Sequence, residues 1–151
     1  MLALTCVERG VQKVEVEQRF AAPVQQVWDR YTDHVSWTDW AGLGRVRLER
    51  EGVPAPNGVG CVREISSLGA KLYEEVLSFD APRRMTYRIV RGTVPIKNHF
   101  GEVVFEPRDG GTQVTWRCQF DSRIPGLGGF FRALLTRLFR TALQNLARRL
   151  G

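Results

Sequence analysis

The stretch that most constrains this chain is its end, PGLGGFFRALLTRLFRTALQNLARRLG. Apolar residues recur there at helical spacing: Leu127, Phe130, Phe131, Leu134, Leu135, Leu138, Phe139, Ala142, Leu143, Leu146 and Leu150. A helix this apolar along one face needs a broad apolar surface to lie on. The positions between carry Arg132, Arg137, Arg140, Arg148 and Arg149, and no acidic residue follows Asp121. About 24 helical residues would reach roughly 36 Å, enough to cross a small domain. Gly126, Gly128 and Gly129 are expected to form a pliable entry to the helix, since glycine is disfavoured inside one.

The rest of the chain supplies the surface. VQKVEVEQRF alternates Val14 and Val16 with Glu15 and Glu17, the period of a half-buried strand. AAPVQQVWDRYTD follows, with Pro23 suited to a first helical turn and Val24, Val27, Trp28 and Tyr31 at helical spacing. HVSWTDWAG reads as a second short helical segment ending at Gly42. From there the pattern is strand after strand: GRVRLERE, VGCVREISS, KLYEEVLSF, MTYRIVRG, KNHFGEVVFEP and TQVTWRCQF. Gly69 and the RDGG turn mark two hairpins, Asp-Gly being a strong short-range signal. Seven strands joined mostly by short turns make a mainly antiparallel sheet. Such a sheet has a face to cover, and the terminal helix is the element able to cover it.

Composition narrows the function classes. The net charge is +6, and Arg123, Arg132, Arg137, Arg140, Arg148 and Arg149 carry all of it, so residues 1–121 are neutral overall. Basicity confined to one helix face, without an aromatic-interleaved basic stripe or a recognised module, argues against nucleic-acid binding. Cys6, Cys61 and Cys118 are odd in number and widely spaced, which points to a reducing compartment rather than a disulfide framework. MLALTCVERG lacks the basic start and apolar run of a signal peptide, and a cytoplasmic location is expected. With no linker, repeat or low-complexity tract, residues 1–151 read as a single domain.

The order strand, two short helices, six strands, long helix resembles the helix-grip fold of the START-like (SRPBCC) superfamily, and within it the polyketide cyclase/dehydrase branch. The resemblance covers about residues 11–150 and is carried by AAPVQQVWDRYTD with WTDW, GVGCVREI, SFDAPRRMTYRI and GEVVFEPRDGGTQVTW. It implies an α+β fold: a curved seven-stranded antiparallel sheet, two short helices after strand 1 and a long C-terminal helix over the sheet. It also implies a cavity between sheet and helix, opening near the loops and the short helices, whose default guest is apolar. The superfamily spans lipid carriers, cyclases, receptors and co-chaperones, so the fold by itself does not assign chemistry.

Strand parity indicates which polar side chains face that cavity. Tyr87 shares a face with Met85 and Ile89, His99 with Gly101, Val103 and Phe105, and Trp116 with Val114, Cys118 and Phe120. Arg63 falls with Cys61 and Ile65. Between Leu72, Glu74, Val76 and Tyr73, Glu75, Leu77 the pattern leaves the choice open; the resemblance favours the first set, so Arg63 and Glu74 could meet across a hairpin. Candidate ligand contacts are Trp37, Trp40, Arg63, Glu74, Tyr87, His99 and Trp116, and candidate catalytic groups are His99, Arg63 and Tyr87. Each has a plainer role to set beside this one: core packing for the aromatics, a structural ion pair for Arg63 and Glu74, a hydrogen-bonded core residue for His99.

Phosphate-loop, dinucleotide, nucleophile-elbow and metal-ligand spacings do not occur, so neither a cofactor nor a metal is expected. The leading reading is a module enclosing a small hydrophobic or aromatic molecule, lipid-like or polyketide-like. An enzyme of the cyclase/dehydratase type using the same cavity is the alternative, with His99, Tyr87 or Arg63 polarising carbonyls and moving protons. A third possibility is a membrane-surface or protein-interaction module, with the basic helix making weak contact with anionic lipid.

Overall fold

A computed structural model describes residues 10–151; the reading of the first residues, with Cys6, lies outside them. Strand β1 (Val11–Phe20) is followed by helix α1 (Val24–Thr32), a single 3-10 turn at His34–Ser36 and the short helix α2 (Trp37–Trp40). Then come β2 (Arg45–Arg50), β3 (Val62–Ser67), β4 (Ala70–Asp80), β5 (Arg84–Gly92), β6 (Ile96–Arg108) and β7 (Gly111–Ser122). Helix α3 (Gly128–Arg149) ends the fold.

The strands form one antiparallel sheet in the order β1-β7-β6-β5-β4-β3-β2. Successive strands from β2 to β7 are neighbours, and β7 pairs back onto β1 along its whole length. The two short helices therefore bridge opposite edges of the sheet. Two tight hairpins set the register. Asp109 and Gly110 have φ of 49° and 78°, and Leu68 and Gly69 have 49° and 83°, the left-handed pair that a two-residue hairpin turn requires. Asp109 suits that conformation; Leu68, fully exposed, does not.

The space between sheet and helices is filled in two different ways. Towards β1, β7 and the end of β6 it is solid. Tyr31 meets Phe105 and Trp116 edge-on at 5.4 and 5.3 Å between centroids, and Trp28 meets Phe105 at 5.0 Å. Trp116 stacks flat on Phe139 of α3 at 3.9 Å. Together with Phe139, the residues Ala142, Leu143 and Leu146 seal the second half of α3 against the sheet, chiefly on β1. Burial on this scale is worth roughly 1.5–3 kcal/mol for each large side chain.

The first half of α3 differs from the expected continuous stripe. None of its residues before Phe139 is buried, and Phe130 and Leu134 stay 61% and 42% exposed. The helix also begins earlier than expected, at Gly128, so that Gly128 and Gly129 lie in its first turn. Glycine's cost in a helix is the backbone freedom it gives up, and a first turn, whose N–H groups have no intrahelical acceptor, is less tightly fixed than a helix interior. None of the helices is long and apolar enough to cross a membrane among the described residues.

Candidate functional site

Beneath the poorly buried half of α3 lies a cavity of about 330 Å³. Phe131, Leu135 and Leu138 roof it, and Ile65, Leu72 and Ile89 form its sheet side. Trp37, Trp116 and Phe139, the margin of the aromatic cluster, close its inner end. Leu43 after α2, the β3–β4 hairpin at Ser67 and Ala70, and Val94-Pro95 between β5 and β6 make its rim. Periodicity does not mark these rim residues, which lie in loops or at strand ends, where no face-specific pattern forms.

The hollow follows from how β6 leaves β5. Their ladder runs from Arg84↔Val104 to Tyr87↔Gly101 and then stops. Asn98 is left-handed, with φ of 52°, and β6 shifts register against β7 between Lys97 and Phe100. The N–H of Ile89 then donates to Nδ1 of His99 at 3.2 Å instead of to a strand carbonyl. One strand peels away from the next, and a side chain satisfies the freed amide.

Four of the candidate residues reach the cavity wall: Trp37, Glu74, His99 and Trp116. Glu74 is on the inward set with Leu72, which resolves the parity left open above. Trp40, Arg63 and Tyr87 stand behind the wall. Trp40 packs beside Trp37 at 5.9 Å and donates to the Ser36 hydroxyl. Tyr87 accepts a hydrogen bond from Nε1 of Trp116 at 2.7 Å. Its ring lies so close over Gly101 that an added Cβ there would meet Cζ at 2.3 Å. Arg63 is fully buried, with its guanidinium carbon 4.3 Å from the Trp37 ring and 4.6 Å from the Tyr87 ring. It is the register partner of Glu74, and its Nε donates to Glu74 Oε1 at 2.8 Å.

Burial shapes the protonation of these groups. It lowers the pKa of His99, with the Arg63 charge acting the same way and Glu74 opposing, so the imidazole is neutral. His34 is held well below the ordinary histidine value by burial and by Arg63. Tyr31 and Tyr87 are pushed well above theirs by burial. Burial acts against the charge of Arg63, but Glu74, Tyr31 and Tyr87 together hold its pKa above the ordinary value. Burial also raises Cys61 and pushes Cys118 up to about 12, so neither is a thiolate at neutral pH.

A second polar feature lies deeper. Both terminal nitrogens of Arg63, the Tyr31 hydroxyl and His34 Nε2 are buried without a hydrogen-bond partner among the described residues. Nδ1 of His34 faces Cys61 Sγ at 3.7 Å. Helical spacing alone marks Tyr31 in the sequence, and the unshared donors of a buried arginine are visible only once the fold is formed.

Comparison with known proteins agrees with this architecture. A solution structure from Thermobifida fusca shares 24% identity, with 92% of this chain and 93% of that one covered and a TM-score of 0.77. The protein XoxI from Bacillus cereus shares 17% identity, covering 91% and 94%, with a TM-score of 0.75. A crystal structure from Thermus thermophilus shares 20% identity, covering 92% and 97%, with a TM-score of 0.72. At these identities the likeness is one of fold. Among curated proteins none matches the sequence. The model of the family described as polyketide cyclase / dehydrase and lipid transport matches residues 11–151, and the chain belongs to that family.

Proposed function

We propose that this protein binds a small hydrophobic or aromatic molecule in the cavity between the sheet and the first half of α3. The observation that carries this reading is the contrast along one helix. Its second half is sealed by Phe139, Ala142, Leu143 and Leu146, whereas Phe131, Leu135 and Leu138 in its first half face open space. Space of about 330 Å³ walled mainly by aliphatic and aromatic side chains is at the lower end of the range for ligand sites. A bound apolar molecule would supply the contacts those side chains lack, at roughly 25 cal/mol per Å² removed from water.

A cyclase mechanism built on His99, Tyr87 and Arg63 finds only His99 at the wall, because Tyr87 and Arg63 are enclosed behind Trp37 and Trp116. Binding is thus the reading the geometry favours. Native mass spectrometry of the purified protein, followed by titration with a naphthalene-type fluorescent probe, tests it. A single saturable site is expected, and Leu135→Trp, which fills the cavity from the helix side, should weaken binding at least about tenfold, a loss of about 1.4 kcal/mol. Probe affinity unchanged by Leu135→Trp would overturn the proposal.

The exposed Phe130 and Leu134, alternating along the helix with Arg132 and Arg137, favour a second reading in which α3 touches an anionic membrane surface. Co-sedimentation with vesicles should then depend on anionic lipid and weaken with salt. Binding insensitive to both would remove this reading.

A further inference from the structure

We propose that Glu74 and His99 select, for the cavity, apolar molecules bearing an uncharged hydroxyl, an alcohol or a phenol, over carboxylates and over plain hydrocarbons. This rests on the cavity reading above and names the ligand class it favours.

Both residues line the cavity wall, and both are tied to the same residue of the strand between them. Glu74 is the register partner of Ile89 across β4 and β5, and the amide of that same Ile89 is held by His99. Because a backbone N–H donates into Nδ1, that nitrogen carries no proton. The neutral ring therefore has its hydrogen on Nε2. None of the described hydrogen bonds uses Nε2, so His99 offers the cavity one donor. Glu74 offers the reverse. Its Oε1 is taken by Arg63 Nε at 2.8 Å, while Oε2 has no hydrogen-bond partner among the described residues. A carboxylate in an ion pair can only accept.

One donor beside one acceptor suits a hydroxyl group, which can accept from Nε2–H and donate to Oε2 at once. A ketone can use only the first. A carboxylate can also use only the first and brings its charge against Glu74. Arg63 does not rescue it, because the guanidinium is fully buried behind Trp37 and Tyr87. Lys71, at the rim, turns its Nζ towards Glu64 at 3.7 Å on the outer face. The Thr93 hydroxyl, also at the rim, is occupied by the Lys71 backbone. Apolar walls leave an unpaired charge without other compensation.

Naphthalene, 2-naphthol and 2-naphthoate share one ring system and differ only in this group, so titrating the full chain with each at pH near 7.5 tests the inference. 2-Naphthol should bind about tenfold tighter than naphthalene, in keeping with a hydrogen bond to a charged acceptor, and 2-naphthoate should bind weakest. His99→Asn keeps an acceptor near the place of Nδ1 for the Ile89 amide but removes the distal donor. It should reduce the 2-naphthol advantage while leaving 2-naphthoate weak. Glu74→Gln should bring 2-naphthoate up to the level of naphthalene; if that variant fails to fold, the wild type and His99→Asn decide the matter. Three results would overturn the inference while sparing the cavity: 2-naphthoate binding as tightly as 2-naphthol, 2-naphthol no tighter than naphthalene, or selectivity unchanged in His99→Asn. No binding of any of the three probes would bring down the cavity reading, and this one with it.

Discussion

A methyl group at position 101 would sit 2.3 Å from Cζ of Tyr87, inside the phenol ring that covers that point of β6. The ring cannot move aside without breaking its bond from Trp116 and uncovering Arg63. Gly101→Ala should therefore destabilise the fold by about 1–3 kcal/mol, the usual cost of overpacking a filled core. Equilibrium urea denaturation checks this; an unchanged midpoint would mean the Tyr87 ring is free to move. Protonation gives a second prediction at this scale. Both His34 and His99 are held below the ordinary value of 6.5, chiefly by burial, so the fold refuses protons that the unfolded chain accepts. Their contribution is complete above about pH 6.5 and is lost as the pH falls below it. Glu64, held at about 2 chiefly by its hydrogen bond from Arg47, adds a later loss as the pH falls from 4.5 towards that value. Denaturation midpoints should be level from pH 8 to 7 and decline towards 5, and His34→Gln should flatten that decline. A midpoint that rises on acidification would contradict the sign. Parity put Arg63 on the inner face, and the family resemblance, where parity left β4 open, set Glu74 beside it. Neither could tell that Arg63 and Tyr87 would be covered by Trp37 and Trp116, because coverage depends on elements far apart in the chain.

At the scale of the element, α3 is two helices in energetic terms. Residues beyond Phe139 are fixed by buried leucines, while the turns before it line the cavity and bury no side chain fully. Local stability follows buried contact. Amides of residues 132–138 should exchange with solvent faster than those of 142–148, and an apolar ligand should slow the first group selectively. Uniform protection along the helix would contradict this division. The sequence showed an unbroken apolar stripe because hydrophobic periodicity records which face points inward and not whether anything fills the space it faces. The strands were more legible. Alternation in VQKVEVEQRF and TQVTWRCQF and the Asp-Gly turn correspond to β1, β7 and the β6–β7 hairpin. The peeling of β6 from β5 at Asn98 was not, since a break in a ladder leaves no periodic trace.

For the whole molecule, family and fold were legible from element order: one strand, a short helical pair, six strands and a long helix. What that order could not reveal is how the concavity is shared between a solid aromatic cluster and a hollow. Trp28, Tyr31, Phe105 and Trp116 fill the end near β1 and β7, leaving the cavity between β3–β6 and the start of α3. The account depends on that hollow accepting an apolar guest. The most direct measurement is a methyl-resolved NMR titration with 2-naphthol. Shifts should saturate at the methyls of Ile65, Leu72, Ile89, Leu135 and Leu138, which line the cavity, with Val14 and Val16 of β1 unaffected. Shifts that fail to saturate, or that spread over the outer face of the sheet while those five methyls stay still, would contradict it.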